Sequence, residues 1–242
     1  MVIKGRGRKF HDAPLSNGNE TILEPKSPYK EDAWRVFRIM SEFVEGFETL
    51  SQCAPAVTVF GSARLKETSP DYKAARLISE MLARAGYTII TGGGPGIMEA
   101  ANRGATDAKG RSIGLNIQLP MEQVVNPYVN VPVGFRYFFV RKVMFIKHAS
   151  AVIVMPGGFG TMDEMFEVLT LVQTKKIKNI PIILYNSSYW KGLLDWIKVT
   201  MPQHGMIGKN DLSIFKVLDD PKAVVSEIKR SIPLDACGKP NF

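Results

Sequence analysis

From residue 56 onward the chain alternates short, almost wholly apolar runs with longer stretches in which apolar residues recur every three or four positions. Residues 56–60, 87–91, 112–117, 129–133, 151–155, 181–185 and 215–218 are runs of the first kind and predict strands. Residues 72–85, 96–108, 135–148, 161–174, 189–201 and 222–232 carry the helical period, and Gly86 closes the first of them. Continuous apolar strands separated by helices specify an α/β fold, a Rossmann-like parallel sheet with helices on both faces in a single domain. Ligands of such sheets bind beyond the carboxyl ends of the strands.

Ahead of this alternation the pattern differs. Residues 1–28 mix Gly, Pro, Ser, Asn and charge with little periodicity, which predicts a flexible arm before a domain over residues 29–242. A helix is expected from Glu31 to a point before Pro55. Its stripe of Trp34, Phe37, Met40, Val44 and Phe47 is expected to lie on the main domain.

Composition narrows the function. The longest apolar runs, residues 151–155 and 180–185, are too short to cross a bilayer, and the basic start is followed by no apolar signal region. Two cysteines, Cys53 and Cys237, suit reduced thiols in a cytoplasmic protein. Scattered His11, His148 and His204, with no Cys-x-x-Cys, predict no metal site. The net charge of +8 is gathered partly in Lys4, Arg6, Arg8 and Lys9 and partly in Lys175, Lys176 and Lys178. Such runs are ordinarily solvated surface; read functionally, they attract anions. No nucleic-acid motif accompanies them, so phosphorylated small molecules are the expected partners.

Two glycine-rich turns each follow a strand and open a helix: Thr91-Gly92-Gly93-Gly94-Pro95-Gly96 and Pro156-Gly157-Gly158-Phe159-Gly160-Thr161. Glycines there let backbone N–H groups approach an anion, and the helix behind adds free N–H groups and the positive end of its dipole. Thr161 has a hydroxyl that can cap its helix or meet a phosphate. One such turn is as readily a tight connection; two on the same sheet edge point to a ligand. Neither fits G-x-G-x-x-G, and no G-x-x-x-x-G-K-[ST] occurs, which disfavours NAD and ATP hydrolysis and leaves a monophosphate.

Residues 156–164 read Pro-Gly-Gly-Phe-Gly-Thr-Met-Asp-Glu, and Arg141-Lys142 stands 15 residues before Pro156. Over residues 31–232 the chain resembles the LOG family of cytokinin riboside 5′-monophosphate phosphoribohydrolases, formerly labelled possible lysine decarboxylases, whose hallmark is Pro-Gly-Gly-x-Gly-Thr-x-x-Glu. Plant-like members continue the first turn as Gly-Leu-Met-Gly. Here it runs Gly96-Ile97-Met98-Glu99, closer to bacterial relatives for which AMP and similar nucleotides are the expected substrates. The resemblance implies that Arg141 is catalytic, that Lys142 contacts or supports the substrate, and that Glu122 and Thr170 lie near the base and ribose. It also implies a homodimer with its sites near the interface, in keeping with the aromatic helix from Phe135.

Cleavage of a ribosyl–base bond builds positive charge on the sugar, which a carboxylate can stabilise while it orients or deprotonates water. Glu164 lies one helical turn beyond the second glycine turn and is the expected carboxylate, with Glu167 on the same face. Without a substrate, Glu164 would simply complement the helix dipole. Arg141 stands in a helix apolar nearly all round, so its guanidinium needs an anionic partner, either a carboxylate such as Glu164 or the substrate. Lys142 points about 100° away from it and so has a different role. Glu99 is weighed between a ribose contact and a surface charge. Gly93, Gly94, Gly157, Gly158, Gly160 and Thr161 are the expected phosphate seat, with no cofactor. The alternatives are a non-catalytic nucleotide- or cofactor-binding module, which would need only the glycine turns, and a pyridoxal-phosphate decarboxylase, for which no lysine has a recognisable setting.

Overall fold

The computed structural model describes residues 30–118 and 125–234; the arm expected over residues 1–28 lies outside the described residues. Seven strands form one sheet: β1 (Ala56–Phe60), β2 (Thr88–Thr91), β3 (Ser112–Ile117), β4 (Val131–Phe135), β5 (Ala151–Val154), β6 (Ile182–Tyr185) and β7 (Phe215–Leu218). Their spatial order is β4-β3-β2-β1-β5-β6-β7, and every neighbouring pair is parallel. The chain winds outward from β1 to β4, crosses back to lay β5 against β1, and winds outward again to β7. The β1/β5 pair is therefore the switch point, where connections leave in opposite directions and a crevice opens at the carboxyl ends.

Side chains alternate between the two faces of this sheet. In β5, Val152 and Val154 join a cluster with Phe145, Met165 and Trp190, whereas Ala151 and Ile153 join one with Ile78, Ile97 and Val224. The first cluster is closed by α1 (Lys30–Leu50), α4 (Phe138–Lys147), α5 (Phe159–Gln173) and α6 (Ser187–Asp195). The second is closed by α2 (Pro70–Arg84), α3 (Ile97–Asp107) and α8 (Pro221–Ser231), with the short α7 (Met201–Gln203) preceding β7. Burial on both faces is why the strands read as unbroken apolar runs.

Three expectations are corrected. The α1 stripe does not lie on the domain: its members range from 37% exposed at Phe47 to 69% at Trp34. The row that packs is Ile39, Phe43, Gly46 and Leu50, with Gly46 so close that an added methyl would stand 2.8 Å from Met144 Cε. The helix expected from residue 135 begins at Phe138, because Phe135 ends β4 and pairs with Ile117. Nor is that helix buried all round, since Phe138 and Phe139 face outward at its start. The stretch expected to be helical over residues 189–201 is helical throughout, α6 passing at Trp196 into a π-helical turn, Trp196–Thr200, that runs on into α7. Among the described residues no helix is long and apolar enough to cross a membrane.

Candidate active site

Three loops meet over the β1/β5 switch point: residues 61–65 after β1, the first glycine turn after β2, and the second after β5. Together with α4 they line a cleft of about 1120 Å³, a size that suits a small-molecule ligand.

The second glycine turn is open toward this cleft. Gly158 is the N-cap of α5 and no side chain caps the helix. The first amide N–H groups of α5 thus lack intrahelical acceptors, and they gather at the positive end of the helix dipole. A methyl added at Gly158 or Gly160 would meet nothing within 4 Å, so both positions face free space, whereas one at Gly157 would run into Thr161. Tyr189 of α6 pins the turn by donating its hydroxyl to the Gly157 carbonyl at 2.6 Å.

The first turn is closed by the protein's own groups. Gly96 has φ +69°, a conformation that L side chains rarely adopt, and the next amide, Ile97 N–H, donates to the Ser62 carbonyl at 2.9 Å. Gly93 N–H donates to Thr91 Oγ1 at 2.9 Å. Asn126 donates its amide N–H to the Gly93 carbonyl at 2.8 Å and its Nδ2 to the Gly94 carbonyl at 2.9 Å. Fully buried Asn102 completes the network: Thr91 Oγ1 donates to its Oδ1 at 2.6 Å, and its Nδ2 donates to Ser112 Oγ at 2.8 Å. These groups of the turn are already paired, and of residues 92–96 only Gly92 lines the cleft.

Two opposite charges line the site. Arg141 lies over the rings of Phe138 and Phe145, its guanidinium carbon 5.1 and 5.4 Å from their centres. Burial lowers its pKa, against the attraction of Glu164 and Asp163. Glu164 is 7% exposed, and burial raises its pKa to about 7, against the attraction of Lys142 and Arg141. No ion pair joins Arg141 to Glu164 among the described residues, and Arg141 Nε and Glu164 Oε2 are buried without a hydrogen-bond partner. Buried polar atoms are nearly always paired, and these two belong to residues that line the cleft.

The structure thus brings Arg141, Glu164, Gly157, Gly158, Gly160 and Thr161 together around the cleft. Gly93, Gly94, Lys142 and Thr170 do not line it. The first two are tied to Thr91 and Asn126, as above. Lys142 bonds Asp163 at 2.9 Å and Glu167 at 3.1 Å. Burial opposes its charge, but these two carboxylates outweigh it and raise its pKa. Thr170 is exposed and donates to the Phe166 carbonyl one turn back at 2.7 Å. Glu99 accepts from the Tyr72 hydroxyl at 2.9 Å and also stays outside the cleft. Glu122 lies outside the described residues.

Several residues that line the cleft or hold its loops carried little sequence signal. Ser62 bridges both glycine turns, since its N–H donates to the Pro156 carbonyl at 3.0 Å while its own carbonyl accepts from Ile97. Arg64 lines the cleft beside it. Their clue was Gly61-Ser62 directly after a strand, a third turn of the same kind. Asn102 was legible as one amide on the alanine-rich face of α3, among Ala100, Ala101 and Ala105. Tyr189 and Asn126 come from distant segments and gave none.

The family model described as possible lysine decarboxylase matches residues 98–228. The pyrimidine/purine nucleotide 5′-monophosphate nucleosidase of Escherichia coli (strain K12) is 27% identical over 193 residues, which are 74% of this chain and 41% of that protein. The chain thus spans about two fifths of that relative's length. The cytokinin riboside 5′-monophosphate phosphoribohydrolase LOG3 of Arabidopsis thaliana is 27% identical over 175 residues, 72% of this chain and 80% of that one. Among solved structures, the molybdenum cofactor binding protein of Rippkaea orientalis matches 73% of this chain and 96% of its own at 24% identity and a TM-score of 0.56. That likeness concerns the fold alone.

Proposed function

The chain belongs to the LOG family, described by its model as possible lysine decarboxylase, and on that premise we propose that it hydrolyses the N-glycosidic bond of a nucleoside 5′-monophosphate. The products are the free base and ribose 5-phosphate. The observation that carries this reading is that Arg141 and Glu164, two buried charges each with one polar atom lacking a hydrogen-bond partner, line the cleft beside an uncapped helix N-terminus. A pure binder needs the helix end; it does not need a desolvated carboxylate and a desolvated guanidinium in one cleft.

In this reading the 5′-phosphate accepts the free amides at the start of α5 and the Thr161 hydroxyl. The ribose then lies one helical turn along, at Glu164. As the bond from C1′ to the base nitrogen breaks, its electron pair leaves with the base, which takes up a proton, and positive charge develops on the sugar. The Glu164 carboxylate stabilises that charge and accepts a proton from the water whose oxygen bonds C1′. A pKa of about 7 suits a group that is half ionised at neutral pH and, once ionised, basic enough to take that proton. Arg141 holds the substrate from α4. The base is left to the apolar side formed by Met98, Ile117 and Phe138.

Substrate choice and assembly belong to the same proposal. AMP is favoured over cytokinin nucleotides, because the first turn continues as Gly96-Ile97-Met98-Glu99 where plant-like members read Gly-Leu-Met-Gly. Outward-facing Phe138, Phe139 and Phe166, with Phe159 96% exposed on the second glycine turn, support a homodimer that covers the cleft mouth. Two cysteines in 242 residues suit a cytoplasmic setting. Lysine decarboxylation is disfavoured: among the described residues no lysine lines the cleft. The test is incubation with a panel of nucleoside monophosphates and their nucleosides, with chromatography for free base. AMP is expected to be cleaved far faster than adenosine; comparable kcat/KM for the two would remove the phosphate seat.

A further inference from the structure

Arg141 rides on α4, and the start of α4 is held from outside the sheet. Tyr137 is the N-cap of α4 and supplies no capping side chain. Instead Glu42, on α1, accepts the Arg136 N–H on Oε1 at 3.0 Å and the Tyr137 N–H on Oε2 at 3.3 Å. A carboxylate there also meets the positive end of the α4 dipole. The two helices stay in register further along: Gly46 admits Met144, and the Lys147 ammonium lies 5.0 Å over the Phe47 ring. Arg141 is one turn from the clamp, with its own N–H donating to the Tyr137 carbonyl at 3.2 Å.

The geometry points to Glu42 as a positioning residue that sets Arg141 into the cleft by fixing the first turn of α4. α1 lies before residues 98–228, which the family model matches, so on this view a helix far from Arg141 in sequence tunes the site. The inference rests on the proposal that Arg141 acts on the substrate. Glu42 keeps its two amide partners although burial raises its pKa, the two N–H bonds opposing that rise. A tie that persists against desolvation is a specific one. Displacement of a site group by about 1 Å costs as much as about 10²-fold in rate, so partial release of α4 is expected to be felt.

The test is a double-mutant cycle of Glu42→Ala with Arg141→Ala, read both by base release from AMP and by NMR titration of the Glu164 carboxyl. Glu42→Ala is expected to lower kcat/KM about tenfold in the Arg141 protein and not at all further in Arg141→Ala. The Glu164 pKa is expected to rise in the first background, as the guanidinium withdraws, and to stay put in the second. Glu42→Gln retains one acceptor oxygen and should fall between, which covers an alanine variant that folds poorly. Equal losses of activity in both backgrounds, or a Glu164 titration unmoved by Glu42→Ala and Glu42→Gln, would overturn the assignment. A wild-type chain that releases no base would defeat the functional proposal instead, and the titration would still decide whether Glu42 sets Arg141.

Discussion

Replacing Glu164 by Gln removes a charge that the fold holds in a poor place, and the size of the effect follows from its titration. Its ordinary pKa is 4.5, and burial raises it to about 7 in the folded chain. Between those values the folded state keeps a proton that the unfolded state has lost. Stability therefore falls as pH rises through the window from 4.5 to about 7, and stays low above it. The gap amounts to about 3 kcal/mol once the carboxylate is fully ionised. Gln imitates the neutral acid at every pH. Glu164→Gln should thus match the wild type below pH 4.5 and exceed it by about 3 kcal/mol at pH 8, which for a chain of this length is about 6–12 °C in Tm. His148 titrates in an overlapping window with the opposite sign, because burial lowers its pKa to about 4. It is common to both proteins, so the difference between them isolates Glu164. Urea or thermal denaturation of both proteins from pH 4 to 8 measures this directly. A difference that did not vary with pH, or a Gln variant less stable at pH 8, would refute the desolvated-carboxylate picture.

Further outcomes follow from the same geometry. Gly160→Ala has room for its methyl, with nothing within 4 Å, and should leave Tm level or slightly raised while increasing KM for AMP about tenfold or more by filling the phosphate seat. Steady-state kinetics beside a melt would separate the two effects. Asn102→Ala strips a hub that joins Thr91, Ser112 and Asn126 and should lower unfolding free energy by about 2–4 kcal/mol in urea titration. Arg141→Ala should weaken AMP affinity in calorimetry as well as turnover, since a buried guanidinium facing the substrate acts in the ground state too; intact affinity would move it to a purely structural role.

How much of this could be read beforehand depended on the range of the forces involved. Burial on both faces of the sheet writes itself into sequence, so β1 and β3 appear as apolar runs with the observed ends. α1 misled because it carries two apolar rows, and periodicity does not say which meets the domain. The packed row includes Gly46, whose fit against Met144 is a matter of shape and invisible to hydropathy. The two glycine turns looked equivalent as strings. They differ because Ser62 and Asn126, some 30 residues away on either side, bind the backbone of the first, whereas no side chain caps the helix that the second opens. Likewise, a 100° step along α4 separates Arg141 from Lys142, but only the position of α5 reveals that Asp163 and Glu167 receive the lysine.

Whether the cleft is a catalyst or a holder turns on Glu164, and one paired measurement addresses it. AMP affinity by calorimetry and base release by chromatography would be compared at pH 8 for the wild type and Glu164→Gln. Action on charge that develops only in the transition state predicts a fall in kcat of about 10²-fold or more with affinity nearly unchanged. A Glu164→Gln protein with unaltered turnover, or a wild type that binds AMP and releases no base, would contradict it.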